Sequence, residues 1–291
     1  MALYAFDGTW NKDLSGEEKC TNVVCFRDAY REKWEYWAGV GTRLGALGLL
    51  AGGITGAGGR QRIAEGLARL NGNWAAGETT IDIVGFSRGA ALALHFANQV
   101  RKLPSSPQIR FLGLWDTVPS FGVPGNEQNL GWELALPDNV LNCFHALALD
   151  ECRGNFPVHR LQAHPKGTLF EVWFRGVHSD IGGGNGNIGL ASISLHWMLQ
   201  NALRCQLPVD PEKVRQAAER RQPACPISIH RVDLIKQPFR RMWPLDIIHS
   251  SVVLCTDADG RRHNNPPAGV NVVDDDCRFI AKFGAAAGGH A

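Results

Sequence analysis

Residues 81–100 constrain the fold of this chain more than any other stretch. Ile81, Ile83 and Val84 form a short β-branched run. Gly85-Phe86-Ser87-Arg88-Gly89 follows, and Ala90 to Val100 then read as an Ala/Leu-rich helix carrying Leu92, Leu94, Phe96 and Val100. A buried strand that passes at once into a helix is half of a β–α–β unit. A Gly-x-Ser-x-Gly turn between the two is a sharp elbow that presents a serine hydroxyl above a sheet. Gly85 and Gly89 lack a Cβ, so the turn can be tight and the helix can lie close on the strand. Ser87 is then expected in a strained backbone conformation. Arg88 is expected to offer a backbone N–H, at a helix N-terminus, to a developing oxyanion. With 33 glycines in 291 residues, the bare pattern arises by chance about 0.2 times in such a chain. Its flanks, not the pattern, give it weight. The plain alternative is an ordinary β–α turn using a small serine.

The rest of the chain repeats the same alternation. Leu3 to Phe6 is a strand stopped by Asp7-Gly8-Thr9-Trp10-Asn11. Residues 34–42 suggest a second short strand and a loop. Arg60 to Leu70 is an amphipathic helix closed by Asn71-Gly72. Ile109 to Trp115 is a strand that stops at Asp116, and residues 122–140 are a Pro/Gly/Asn-rich loop. Val140 to Glu151 reads as a helix, Leu169 to Val177 as a strand, Leu190 to Leu203 as a helix, and 211–221 as a polar helix. Irregular segments follow, and Gly284 to Ala291 is a small-residue tail expected to fray. The glycines of residues 45–59 argue against a stable helix there. That stretch is either an apolar lid or a plain surface loop. Strands separated by helices indicate an α/β, α/β-hydrolase-like fold, with a mostly parallel central sheet and helices on both faces. The length suits one domain over residues 1–291.

Composition removes several function classes. Thirty Lys and Arg against 28 Asp and Glu leave a net charge of +2, which gives no electrostatic case for nucleic acid. No stretch reaches the roughly 18 apolar residues of a membrane span. Met1-Ala2-Leu3-Tyr4-Ala5-Phe6-Asp7 has no basic n-region, so synthesis in the cytoplasm without a signal peptide is expected. Eight cysteines lie scattered without a CxxC, which matches neither a zinc site nor a disulfide framework and favours reduced thiols.

In α/β sheets the chemistry gathers at the carboxyl ends of the strands. Asp7, Ser87, Asp116 and His178 all fall there. A serine hydroxyl needs a base to attack at neutral pH, and an imidazole can take and return its proton. A carboxylate on the far ring nitrogen fixes the tautomer and stabilises the imidazolium. The order Ser87, Asp116, His178 is that of α/β-hydrolases. Asp116 has a plainer alternative as a strand-end cap, and His249 is the rival base. Asp180 either orients the loop after His178 or serves as the acid. Gly8 or Thr9 supplies a second oxyanion donor, or Asp7-Gly8-Thr9 is only an Asx-turn. His95 and His196 read as packed or surface positions within helices. No ligand spacing supports a metal at His178, Asp180 and Asp7, and no cofactor is called for.

Six blocks in order resemble the α/β-hydrolase domain family DUF2235, which includes the Tle1-type phospholipase effectors of bacterial type VI secretion. They are Phe6-Asp7-Gly8-Thr9-Trp10-Asn11, Gly39-Val40-Gly41-Thr42, Gly85-Phe86-Ser87-Arg88-Gly89-Ala90, Leu114-Trp115-Asp116-Thr117-Val118, His145-Ala146-Leu147-Ala148-Leu149-Asp150-Glu151 and Gly176-Val177-His178-Ser179-Asp180-Ile181-Gly182-Gly183-Gly184. The resemblance covers roughly residues 3–255. It implies a Ser-Asp-His phospholipase A or related esterase, with Ser87 as nucleophile, Asp116 as acid and His178 as base. It also implies a lipid or other acyl-ester substrate, transient contact with a membrane surface, export by a contact-dependent secretion system, and a secretion-spike protein and an immunity protein as partners. Two alternatives remain: a small-ester or thioester hydrolase, and a non-catalytic binding module on the same fold.

Overall fold

The computed structural model describes residues 1–8, 20–39, 56–119, 131–228, 238–254 and 263–284. Its strands are β1 (Ala2–Phe6), β2 (Lys33–Trp37), β3 (Ile81–Phe86), β4 (Ile109–Trp115), β5 (Asn142–Ala148), β6 (Thr168–Phe174), β7 (Ile247–His249), β8 (Asn271–Val273) and β9 (Phe279–Lys282). They join in one nine-stranded sheet in the order β2-β1-β3-β4-β5-β6-β7-β8-β9. The pairings are parallel except that of β8 with β9. The helices are α1 (Asn22–Ala29), α2 (Gly56–Ala75), α3 (Arg88–Arg101), α4 (His178–Gly182), α5 (Ile188–Arg204), α6 (Pro211–Glu219) and α7 (Ser251–Leu254).

Alternation along β1 shows how the layers form. Leu3 and Ala5 join a core with Phe26, Phe111, Trp115 and Trp197 on one face of the sheet. Tyr4 and Phe6 join a core with Ile83, Phe96 and Leu114 on the other. A parallel sheet covered on both faces results. The chain leaves β1 for β2 on one side and returns to place β3 on the other. Strand order reverses at that point, and the carboxyl ends of β1 and β3 flank the topological switch of the sheet. Caps fix the helices locally. The Thr21 hydroxyl accepts from the Val24 N–H at the start of α1, and Asp210-Pro211 opens α6.

Three expectations are corrected. Residues 142–148 form β5, not part of a helix, because their apolar run is buried between β4 and β6. Periodicity cannot separate such a strand from a buried helix. α2 begins inside the glycine-rich stretch and passes Asn71-Gly72 to end at Ala75. Its Gly59 and Gly66 pack under Trp132 and Phe96 with almost no room for a methyl group, so tertiary packing overrides propensity. Residues 45–55 lie outside the described residues. The segment after 221, expected to be irregular, supplies β7, β8 and β9, strands too short for a pattern to show. Among the described residues no helix is long and apolar enough to cross a membrane.

Candidate active site

Ser87 sits between β3 and α3 at φ 59° and ψ −124°, a region that costs a non-glycine residue about 1–3 kcal/mol. The surroundings impose it. The Ser87 N–H donates to the Trp115 carbonyl at 2.9 Å, and the Ser87 carbonyl accepts from Ala90 at 3.1 Å and Val118 at 3.2 Å. A Cβ on Gly85 would lie 2.7 Å from the Cα of Ala90, and one on Gly89 would lie 2.5 Å from the carbonyl oxygen of Asp7. Both glycines are therefore required by close approach of backbone.

His178 opens α4, just beyond β6, after Gly176 turns the chain at φ 123°. Its Nε2 lies 2.8 Å from Ser87 Oγ and its Nδ1 2.6 Å from Asp116 Oδ2. Phe86 and Phe156 flank the imidazole, with ring centroids at 4.7 and 4.8 Å. The three polar side chains are buried. Asp116 adopts φ 41° and accepts from the Ala148 N–H at 2.9 Å through Oδ1. Burial alone would raise the Asp116 pKa, but Arg240 and His178 outweigh it and hold the carboxyl far below the usual range. Burial lowers the His178 pKa against the pull of Asp116 and Glu151. An ionised Asp116 only accepts, so Nδ1 carries the ring proton and Nε2 faces Ser87 as acceptor.

The other expected residues are distributed around this line. Arg88 is the first residue of α3, where a backbone N–H has no intrahelical carbonyl to meet. The Gly8 N–H donates to Asp7 Oδ1 at 2.7 Å, and Thr9 lies outside the described residues. Asp7 Oδ2 accepts from the Thr21 and Tyr36 hydroxyls at 2.9 and 2.8 Å. Burial pushes its pKa up to about 6. Asp180 is remote from the role of acid. Its carboxylate accepts from the Val177 and Ser228 N–H groups and from the Asn185 and Asn187 amides, which ties the loop after His178 together. His249 does not face Ser87. It contacts Ser251 Oγ at 2.8 Å and Asp275 at 3.3 Å and stacks on Phe174. His95 accepts from the Glu133 N–H, and His196 meets Asp275. Among the described residues no group of three or more His, Cys, Asp or Glu is placed to hold a metal ion.

Two residues at the site escape sequence reasoning. Glu151 is buried and accepts from the His178 N–H at 3.2 Å. It closes the block His145 to Glu151, so a signal existed. Arg240 makes a two-pronged ion pair with Asp116 across 124 residues. Its surroundings, Gln237-Pro238-Phe239-Arg240-Arg241, carry no pattern.

A mostly parallel sheet, a serine on a strand–helix elbow, and an aspartate and a histidine delivered to it from later strands define an α/β-hydrolase-like protein. The family model for the catalytic domain of Tle1-like phospholipase effectors of the type VI secretion system matches residues 3–103 and 97–201. That is more than half of the sequence, and the chain belongs to this family. Among solved structures, the chain is similar to an uncharacterized protein from Pseudomonas aeruginosa, with a TM-score of 0.53 and 21% identity over 73% of this chain and 47% of that one. It is also similar to the Tle1 effector solved bound to the VgrG spike of the type VI secretion system, with a TM-score of 0.46 and 22% identity over 65% and 51%. The chain thus spans about half the length of each. A comparison with curated proteins gives no match.

Proposed function

We propose that the chain is a serine hydrolase of acyl esters, acting as one α/β-hydrolase unit, with a glycerophospholipid cleaved in the manner of a phospholipase A as the favoured substrate. The observation that carries this reading is the buried line from Ser87 Oγ through His178 to Asp116, with steps of 2.8 and 2.6 Å. Ser87 Oγ attacks the ester carbonyl as its proton passes to His178 Nε2, and Asp116 stabilises the imidazolium. The Arg88 N–H meets the oxyanion. A second donor is proposed from the Gly8–Thr9 backbone, as the sequence pattern suggests; the Gly8 N–H donates to Asp7 Oδ1 in the structure. Collapse of the tetrahedral intermediate expels the alcohol, which takes the proton from Nε2. Water then adds to the acyl-enzyme by the same route and frees the acid.

Family membership supports phospholipid as substrate and type VI delivery; a spike protein as carrier and an immunity protein in the producing cell complete the proposal. The test sets phospholipid vesicles beside short p-nitrophenyl esters, with fluorophosphonate labelling of wild type and Ser87→Ala. Labelling and fatty-acid release lost together in Ser87→Ala are the expected result. Ester turnover without lipid release removes the phospholipid, and an unlabelled wild type removes the nucleophile.

A further inference from the structure

Asp116 is held by more than its histidine. Arg240 Nη1 lies 2.6 Å from Oδ1 and Nη2 3.1 Å from Oδ2, the fork geometry of a bidentate guanidinium–carboxylate pair. With His178 on Oδ2 and the Ala148 N–H on Oδ1, the carboxylate has four donors. The same guanidinium donates to the carbonyls of Ala148 at 3.1 Å and Phe156 at 2.8 Å. Arg240 therefore joins the acid, the end of β5, and the segment whose Phe156 ring packs on the imidazole. The Arg240 side chain is 6% exposed, and its own carbonyl is fixed by Asn264. Arg240 also lies beyond residues 3–201, where the family model matches.

We propose that Arg240 is a positioning residue that locks the carboxylate of Asp116, whose backbone is at positive φ, toward His178 and sets the basicity of that imidazole. This rests on the serine-hydrolase reading, which it deepens. A cation on the far side of a shared carboxylate offsets part of the field that Asp116 exerts on the ring. His178 is surrounded by Asp116 at Nδ1, Ser87 at Nε2, Glu151 at its backbone N–H, and the phenyl rings of Phe86 and Phe156. Arg153 pairs with Glu151 and lies over Phe156. Asp180, two residues along, turns its carboxylate to Val177, Asn185, Asn187 and Ser228. In this ring of groups Arg240 is the cation joined directly to the acid.

The test is an imidazole NMR titration of wild type, Arg240→Gln and Arg240→Lys, with a pH profile of p-nitrophenyl ester hydrolysis in parallel. In Arg240→Gln the His178 pKa should rise by about 2, the size expected of one charge removed at about 6 Å and an effective dielectric of about 20. The acid limb of kcat/KM should move up with it, and kcat should fall about 10²-fold with KM little changed. Arg240→Lys should restore the pKa but recover kcat only in part, since a point charge lacks the fork. An unchanged His178 pKa in folded Arg240→Gln overturns the proposal. If that variant does not fold, Arg240→Lys decides: kcat lowered at least about 10-fold supports it, and full kcat overturns it. The titration needs no turnover, so failure of the hydrolase reading shows separately, as a wild type that fluorophosphonate does not label.

Discussion

Gly89→Ala isolates the close approach on which the elbow depends. The added Cβ would run into the carbonyl oxygen of Phe6 and lie 2.5 Å from that of Asp7 and 2.6 Å from the Phe6 carbonyl carbon. Ordinary van der Waals contact begins near 3.4 Å, so the backbones must part by about 1 Å. Both sides of the clash are backbone, the last turn of β1 and the first turn of α3, so no rotamer change relieves it. Overpacking of this kind costs about 1–3 kcal/mol, here toward the upper end, and the better helix propensity of alanine returns about 0.5–1 kcal/mol. A net loss of about 2 kcal/mol follows. The displaced segments carry the Arg88 N–H and the backbone of Asp7 and Gly8, so a shift of about 1 Å should slow acylation about 10²-fold. Urea unfolding and the rate of fluorophosphonate labelling read the two effects. Gly72→Ala is the control. Gly72 is exposed on α2 with nothing within 4 Å of an added Cβ, so the same substitution should stabilise by about 0.5–1 kcal/mol. A Gly89→Ala protein as stable as wild type, labelled at the wild-type rate, would refute the close-packing argument.

Other perturbations test separate parts of the site. Asp7 holds its proton more tightly folded than unfolded, since burial takes its pKa to about 6. Its contribution to stability is therefore full at acid pH, declines above about pH 4 and is lost as the pH rises through about 6, at most about 3 kcal/mol in all. Urea midpoints across that window should fall for wild type and stay flatter for Asp7→Asn. Arg88 is half-buried with no ion pair or hydrogen bond to its guanidinium among the described residues, and burial lowers its pKa to about 10. Arg88→Met keeps the backbone N–H and should raise stability by about 1 kcal/mol, seen as a higher Tm, with labelling of Ser87 intact. Asp180→Ala removes an acceptor shared by four donors. It should cost about 3 kcal/mol by urea unfolding and slow labelling as the loop after His178 loosens.

What the sequence made legible divides by the range of the forces involved. The elbow is local: Gly85, Ser87 and Gly89 state within five residues a geometry that the sheet then requires. The strand ends at Asp7, Asp116 and His178 were visible because each follows an apolar run and precedes turn residues. β5 was misread because alanine and leucine serve a buried parallel strand as well as a helix, and only its neighbours β4 and β6 decide. Three-residue strands such as β7 and β8 are held by pairing and carry no period of their own. Arg240 was invisible because an ion pair across 124 residues leaves no local trace. His249 looked comparable to His178 in sequence, since both follow an apolar run, and only the sheet order separates them. β7 lies beyond β6, on the side away from β3.

That sheet order also poses a problem that β5 solves. Phe86 on β3 is in register with Trp115 on β4, so Ser87 and Asp116 leave neighbouring strands one step further on. His178 comes from β6, with β5 intervening, and must be carried back over it. The continuation of β5 makes that connection. Asp116 takes the Ala148 N–H at 2.9 Å, which fixes the acid to the end of β5. The next residues then catch the chain leaving β6. The Asp150 N–H donates to the Gly176 carbonyl, and the Asp150 carboxylate accepts from the Gly176 N–H at 2.7 Å and from Arg175 at 2.7 Å. Glu151 accepts from the His178 N–H at 3.2 Å. A positive φ at Gly176 allows the bend that these two carboxylates hold. Asp150 and Glu151 thus act on the backbone before His178, and the imidazole reaches Ser87 because its main chain has already been turned toward β3.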